Sequence, residues 1–216
     1  MATVTETSPT ITEARAFFTP AKTPISIADL PIRRFTVDEY YRIARAGILG
    51  PTEHVELICG VIVKMAAKGT PHFTATTNTR DTFIAKLGGG HTVRQEGPID
   101  LGGTEPEPDV VVARGKSRDY REHHPKPADV LLLVEVAETS LDYDLKVKLP
   151  LYAAAGIVEY WILDLEHSLL EVFRDLVPAD ATRAAAYRTH LTFFPGDQIA
   201  PVSFSQASIP VSDLLP

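Results

Sequence analysis

A single cysteine, Cys59, among 216 residues leaves no partner for an internal disulfide, so a cross-link within the chain is excluded as a source of stability. Apolar runs of about 20 residues, the length a membrane helix requires, are missing as well; the longest candidates are interrupted by Glu135 or end in charged flanks. The chain also opens without the basic stretch and apolar core of a secretory leader. Together these absences lead to the expectation of a soluble, cytoplasmic protein with no membrane partner. Positive charge is in deficit, with 21 Lys and Arg against 28 Asp and Glu and a formal net charge of −7. That balance argues against a protein that coats nucleic acid through clustered cations and counterion release. It argues less against metal-dependent chemistry on phosphate, because acids gathered around an ion contribute to the total and the ion offsets their repulsion of the substrate.

What is present is the composition of one soluble domain, 44% hydrophobic and 23% charged over a length sufficient for a sizeable core. Met1 to about Arg34, rich in Thr, Pro, Ala and Ser, is expected to be an extended or partly disordered arm. The domain then runs from 35 to 216. Thr36–Val37–Asp38–Glu39 has the capping-box pattern and predicts a helix over about Thr36–Ala46. Val55–Met65 predicts two short strands turning at Gly60, and Thr70–Pro71 predicts a helix start with Thr70 as the cap, carrying His72, Phe73, Thr76, Phe83 and Ile84. Strands are expected at His91–Gln95, Ile99–Leu101, Asp109–Ala113, Val130–Val136, Val158–Leu165 and Leu169–Arg174, with a helix over about Leu141–Ala155 and a short strand near Tyr187. This order indicates an α/β or α+β layer, helices against a mixed sheet, with the Val130 strand central because both its faces read as buried.

Inside that most apolar strand sits Glu135, where a lone carboxylate costs several kcal/mol or takes up a proton. Asp109, after Pro108 at the mouth of another apolar strand, is a second acid, and Lys148 with Lys146 follows at the start of a predicted helix. Mg²⁺ prefers one or two carboxylates and completes its shell with water and phosphate oxygens. Asp109 and Glu135 meet that demand if their strands are neighbours, with the Val136 backbone carbonyl as a further ligand. Lys148 could then orient or deprotonate the attacking water, or stabilise charge on phosphorus. Plainer readings stand beside these: Asp109 as a turn or cap residue, Glu135 as half of a structural ion pair, Lys148 as a solvated helix lysine beside Asp144. Glu56, His72 and Asp144 are accessory candidates, while Tyr152 and Trp161 read as packing and His123–His124 as loop.

Four segments carry a resemblance. Pro108–Asp109–Val110–Val111–Val112, Leu133–Val134–Glu135–Val136, Tyr143 through Tyr152, and Ala155–Gly156–Ile157–Val158–Glu159–Tyr160–Trp161–Ile162–Leu163–Asp164 resemble the Uma2 family, also called DUF820, of the PD-(D/E)XK nuclease superfamily. The likeness spans most of about Phe35–Asp213, with Glu56–Leu57–Ile58, Gly60 and Pro71–His72 similar to the family's N-terminal half. It implies a restriction-endonuclease-like core and hydrolysis of DNA phosphodiesters with Mg²⁺, or Mn²⁺ in its place. By position it makes Asp109 and Glu135 the metal ligands and Lys148 the motif lysine. One position departs: the superfamily's lysine two residues past the second acid is here Ala137, so the resemblance moves that role to the following helix.

Two further functions remain open on the residues alone. One is a catalytically inactive DNA- or protein-binding module with the nuclease fold; the other is a hydrolase of a different phosphate ester at the same site. A nuclease is expected to bring Asp109, Glu135 and Lys148 together beside basic residues such as those of Arg114–Lys126, and to act as a homodimer.

Overall fold

A computed structural model describes residues 30–50 and 52–216. The predicted arm, Met1 to about Arg34, lies almost wholly outside the described residues. From Arg34 to Pro216 the chain forms one compact unit. Its centre is a six-stranded mixed sheet in the order β3-β4-β5-β6-β7-β8, formed by His91–Gln95, Val110–Arg114, Val130–Ala137, Tyr160–Asp164, Leu169–Val177 and Ala186–Phe193. All neighbouring pairs are antiparallel except β5 and β6, which are joined by a helical crossover. The strand β5 is buried along its whole length, as its unbroken apolar run requires. On one face of the sheet Leu132, Val134 and Val136 pack against Ala75 and Phe83 of helix α2 (Thr70–Lys86) and against the C-terminal Ile209, Val211 and Leu214. On the other, Leu133 and Ala137 pack against Tyr152, Ile157 and Tyr160. Alternation puts Glu135 on this second face, together with Asp109 one residue before β4.

Local chemistry explains the elements around the sheet. Helix α1 (Val37–Arg45) starts at the predicted capping box: Thr36 Oγ1 accepts from the Glu39 amide and Glu39 returns a bond to the Thr36 amide. The hairpin of β1 (Val55–Ile58) and β2 (Val61–Lys64) turns at Cys59–Gly60, both with positive φ. That backbone suits the glycine, and a Cβ on Gly60 would lie 2.6 Å from Arg34 Cβ and 2.9 Å from the Phe35 carbonyl. Buried Glu159 ties down the tail by accepting from Trp161 Nε1 at 3.0 Å and from the Val202 amide at 2.7 Å.

Four expectations are corrected. The cap of α2 is Gly69 rather than Thr70; the Glu138 carboxylate accepts from the Gly69 amide at 2.9 Å, where an anion also complements the helix dipole. Ile99–Leu101 is not a strand, because the prolines and glycines around it leave its amides bonded to the Pro106, Pro125 and Thr104 carbonyls instead. The strand near Tyr187 is long rather than short, pairing with β7 over most of Ala186–Phe193. Its inward residues, Tyr187, Thr189, Leu191 and Phe193, are only half-buried, so the apolar signal was diluted.

The fourth correction concerns the crossover, which is not one α-helix. It consists of α3 (Leu141–Tyr143), a π-helical turn at Asp144–Lys148, and α4 (Leu149–Ala155). Pro150 accounts for it. Within a continuing helix its ring clashes with the carbonyl four residues back and it donates no hydrogen bond. Widening to an i→i+5 bond, from the Leu149 amide to the Asp144 carbonyl, accommodates both.

Gly60→Ala, with its positive φ and crowded Cβ, is expected to lower stability by about 2 kcal/mol. Urea unfolding measures this, and an unchanged midpoint would mean that the hairpin turn relaxes freely.

Candidate active site

The hairpin, the approach to β4, the end of β5 and the π-turn bring buried charges to one cleft of about 400 Å³. Lys148, 3% exposed, is the hub: its Nζ is 2.8 Å from Glu56 Oε2 and 3.1 Å from Glu135 Oε1. Glu135 Oε1 also accepts from the Tyr152 hydroxyl at 2.6 Å, and its Oε2 from the Asp109 amide at 3.3 Å. Glu56 accepts from the Tyr143 hydroxyl at 3.0 Å and from the Glu107 amide at 3.1 Å. Asp109 is held through Oδ2 by the Val136 amide at 2.8 Å and His72 Nε2 at 3.2 Å, and through Oδ1 by Lys68 Nζ at 3.0 Å. Asp144 accepts from Ser140 at 2.6 Å and also lines the cleft.

Electrostatics follow from that packing. Burial disfavours the Lys148 ammonium, yet Glu135 and Glu56 outweigh it and raise its pKa, so Lys148 stays protonated and is not a base in this arrangement. Burial pushes Glu135 up, with Lys148 pulling the other way. Burial also opposes the Asp109 carboxylate, but His72 and Lys68 prevail and hold its pKa below the ordinary value. Asp144 is pushed up to about 6, chiefly by burial, against its bond from Ser140.

Asp109, Glu135, Lys148, Glu56, His72 and Asp144 all line this cleft, as does Val136. Lys146 points outward to Asp142. The basic cluster of Arg114–Lys126 does not join them. Arg114 closes the far end of β4, paired with His91, Arg121 lines a separate pocket with Tyr41 and Glu105, and the lysines lining the cleft are Lys64, Lys68 and Lys148. The sequence reading missed Lys68, Glu96, Tyr143 and Tyr152. For Tyr152 a signal existed: it lies one turn beyond Lys148, and a buried phenol needs a hydrogen-bond acceptor.

A divalent cation suits the donor set. Among the described residues, His72, Glu96 and Asp109 bring one ligand atom each to within 4.8 Å of one another. An ammonium already sits on two of them, since Lys68 Nζ is 2.9 Å from Glu96 Oε1 as well as 3.0 Å from Asp109. The group shares Asp109 with the expected Asp109, Glu135 and Val136 set, while Glu135 is engaged by Lys148 and Tyr152.

Comparison with known proteins agrees with this architecture. The Uma2 family model, described as "Putative restriction endonuclease", matches residues 37–212. The chain belongs to the Uma2 family. A solved structure from Anabaena variabilis ATCC 29413, described as "a putative nuclease belonging to DUF820", is similar at 18% identity over 83% of this chain and 97% of that one, with a TM-score of 0.63. At that identity the likeness establishes the fold, a mixed sheet flanked by helices. Comparison with curated proteins found no match. No described helix of this Uma2 protein is long and apolar enough to cross a membrane.

A carboxyl whose folded pKa lies above its ordinary value contributes stability at low pH and loses it as pH rises through the folded pKa. For Asp144 the values are 3.8 and about 6. Asp144→Asn removes that loss, so its stability relative to wild type is expected to improve by about 1–3 kcal/mol between about pH 4 and pH 8. Urea unfolding at the two pH values checks this; a pH-independent difference would contradict the raised pKa.

Proposed function

We propose that this Uma2 protein is a metal-dependent endonuclease that hydrolyses DNA phosphodiester bonds. The observation that carries the proposal is the convergence of Asp109, Glu135 and Lys148, from three separate segments, on one cleft. In this reading Asp109 and Glu135, with His72, Glu96 and the Val136 carbonyl available, hold Mg²⁺ or Mn²⁺. When bound, the ion acts as a Lewis acid on the phosphoryl oxygen and lowers the pKa of a water. Lys148, kept protonated, stabilises charge developing on phosphorus rather than taking a proton. Glu56, itself held by the Tyr143 hydroxyl, fixes the Lys148 ammonium, and Tyr152 fixes the Glu135 carboxylate. Asp144, with a pKa of about 6, is suited to accept the proton of the attacking water near neutral pH.

A second reading, hydrolysis of a smaller phosphate ester, is favoured by one observation. Carboxylates outnumber lysines around the cleft, and none of the Arg114–Lys126 cations lines it. A cytoplasmic homodimer completes the main proposal. Phe73 and Ile84 are both exposed on α2, eleven residues apart and about 20° around the helix from each other with Thr77 and Arg80 between them, and they are the apolar contacts that this helix would offer a second copy. Light scattering is expected to return the mass of two chains, and a monomeric mass would reject the dimer.

The deciding experiment is cleavage of supercoiled plasmid and of short single- and double-stranded DNA with Mg²⁺, Mn²⁺ or EDTA. Wild type is expected to nick DNA only with metal; Asp109→Ala and Lys148→Met should lose at least about 10²-fold in rate, with melting curves confirming that each variant is folded. Inactivity on DNA with turnover of a small phosphodiester would select the second reading. Inactivity on both would favour a binding module.

A further inference from the structure

Lys68 lies on the connection from β2 to α2, immediately before Gly69, and its side chain is 26% exposed. Its ammonium bridges Glu96 Oε1 and Asp109 Oδ1, two members of the group suited to a divalent ion. The carboxylates and the lysine are anchored unequally. Glu96 is held at the end of β3 with a positive φ of 49°, a conformation uncommon outside glycine, and its amide donates to the Asp109 carbonyl at 3.0 Å. Asp109 is further fixed through Oδ2 by His72 and the Val136 amide. The Lys68 and Glu96 side chains are 26% and 33% exposed, so both ends of that ion pair can rearrange when an ion enters, whereas the Asp109 carboxylate stays in place.

A divalent ion and an ammonium compete for those same oxygens. Mg²⁺ binds carboxylate oxygen at about 2.1 Å, so an ion on Asp109 and Glu96 would stand within a few ångströms of an unmoved Nζ, with strong like-charge repulsion. We propose that Lys68 is a tethered counter-ion that neutralises this end of the cleft in the metal-free protein and that a divalent ion must displace. Lys68 then sets the metal concentration at which the site loads. The inference deepens the metal-dependent reading above and rests on it.

The test is calorimetric titration of Mn²⁺ into the full chain as wild type, Lys68→Met, Lys68→Gln and Lys64→Met. Lys64 lines the same cleft without an ion pair to Glu96 or Asp109 among the described residues, so it reports the general effect of losing one charge. Both Lys68 variants are expected to bind Mn²⁺ about tenfold more tightly than wild type, and Lys64→Met to change by less than about threefold. Without metal the Lys68 variants should melt below wild type, and saturating Mn²⁺ should close that gap. Equal or weaker binding by the Lys68 variants, or equal tightening by Lys64→Met, would overturn the counter-ion role while leaving the metal-dependent reading intact. Absence of Mn²⁺ binding in every protein would overturn both.

Discussion

Lys148 stands between Glu56 and Glu135 in a place almost closed to water, and much of the site's geometry answers to that contact. Removing either kind of partner would leave an uncompensated buried charge, a change of about 3–5 kcal/mol. The contact also joins parts of the chain that are remote in sequence: the β1–β2 hairpin, the last residues of β5 and the helical crossover. Tyr143 and Tyr152 supply hydroxyl donors to the two carboxylates, and the Asp109 amide supplies another to Glu135. The Tyr152 and Asp109 donors support Glu135, a carboxylate that burial drives toward its neutral form.

The crossover shows how local helix geometry serves that arrangement. Pro150 prevents a regular helix, and the π-turn that accommodates it has buried residues at its two ends, Asp144 and Lys148. Turns of this kind recur at functional sites because they depart from ideal helix geometry only where surrounding packing enforces them. Here the enforcing structure is the core beneath, in which Tyr152, Ile157 and Tyr160 pack against Leu133 and Ala137. Asp144, held against its own solvation preference, illustrates the same trade: it is carried by the stability of the rest of the fold.

Electrostatically the cleft suits a cation before it suits a phosphate. Glu56, Glu107, Asp109, Glu135, Glu138 and Asp144 line it against Lys64, Lys68 and Lys148. Asp109, one residue before β4, and Glu135 on β5 share a face of the sheet, so an ion held by them would lie at the mouth of two adjacent strands. Membership of the Uma2 family and the nuclease-like fold agree with such a centre.

Elements whose cause is local or strongly periodic can be read along the chain. The Thr36–Glu39 box, the Gly60 turn and the apolar run of β5 each state their structure within a few residues, and Glu135 inside that run announces that a partner must exist. The identity of the partners emerges from the packed fold. Glu56 and Lys68 come from segments whose sequence reads as an ordinary hairpin and loop, and Tyr152 reads as packing until its hydroxyl is found 2.6 Å from Glu135. The Arg114–Lys126 cations are an example of the basic residues that a nuclease is expected to bring to its cleft, yet none of them lines it, and the direction of β4 carries Arg114 to the other end. The physical reason is the same throughout: caps, turns and burial patterns act over a few residues, whereas the pairing of buried charges depends on sheet order and register. Here that order brings residues as far apart as Glu56 and Lys148 within 2.8 Å.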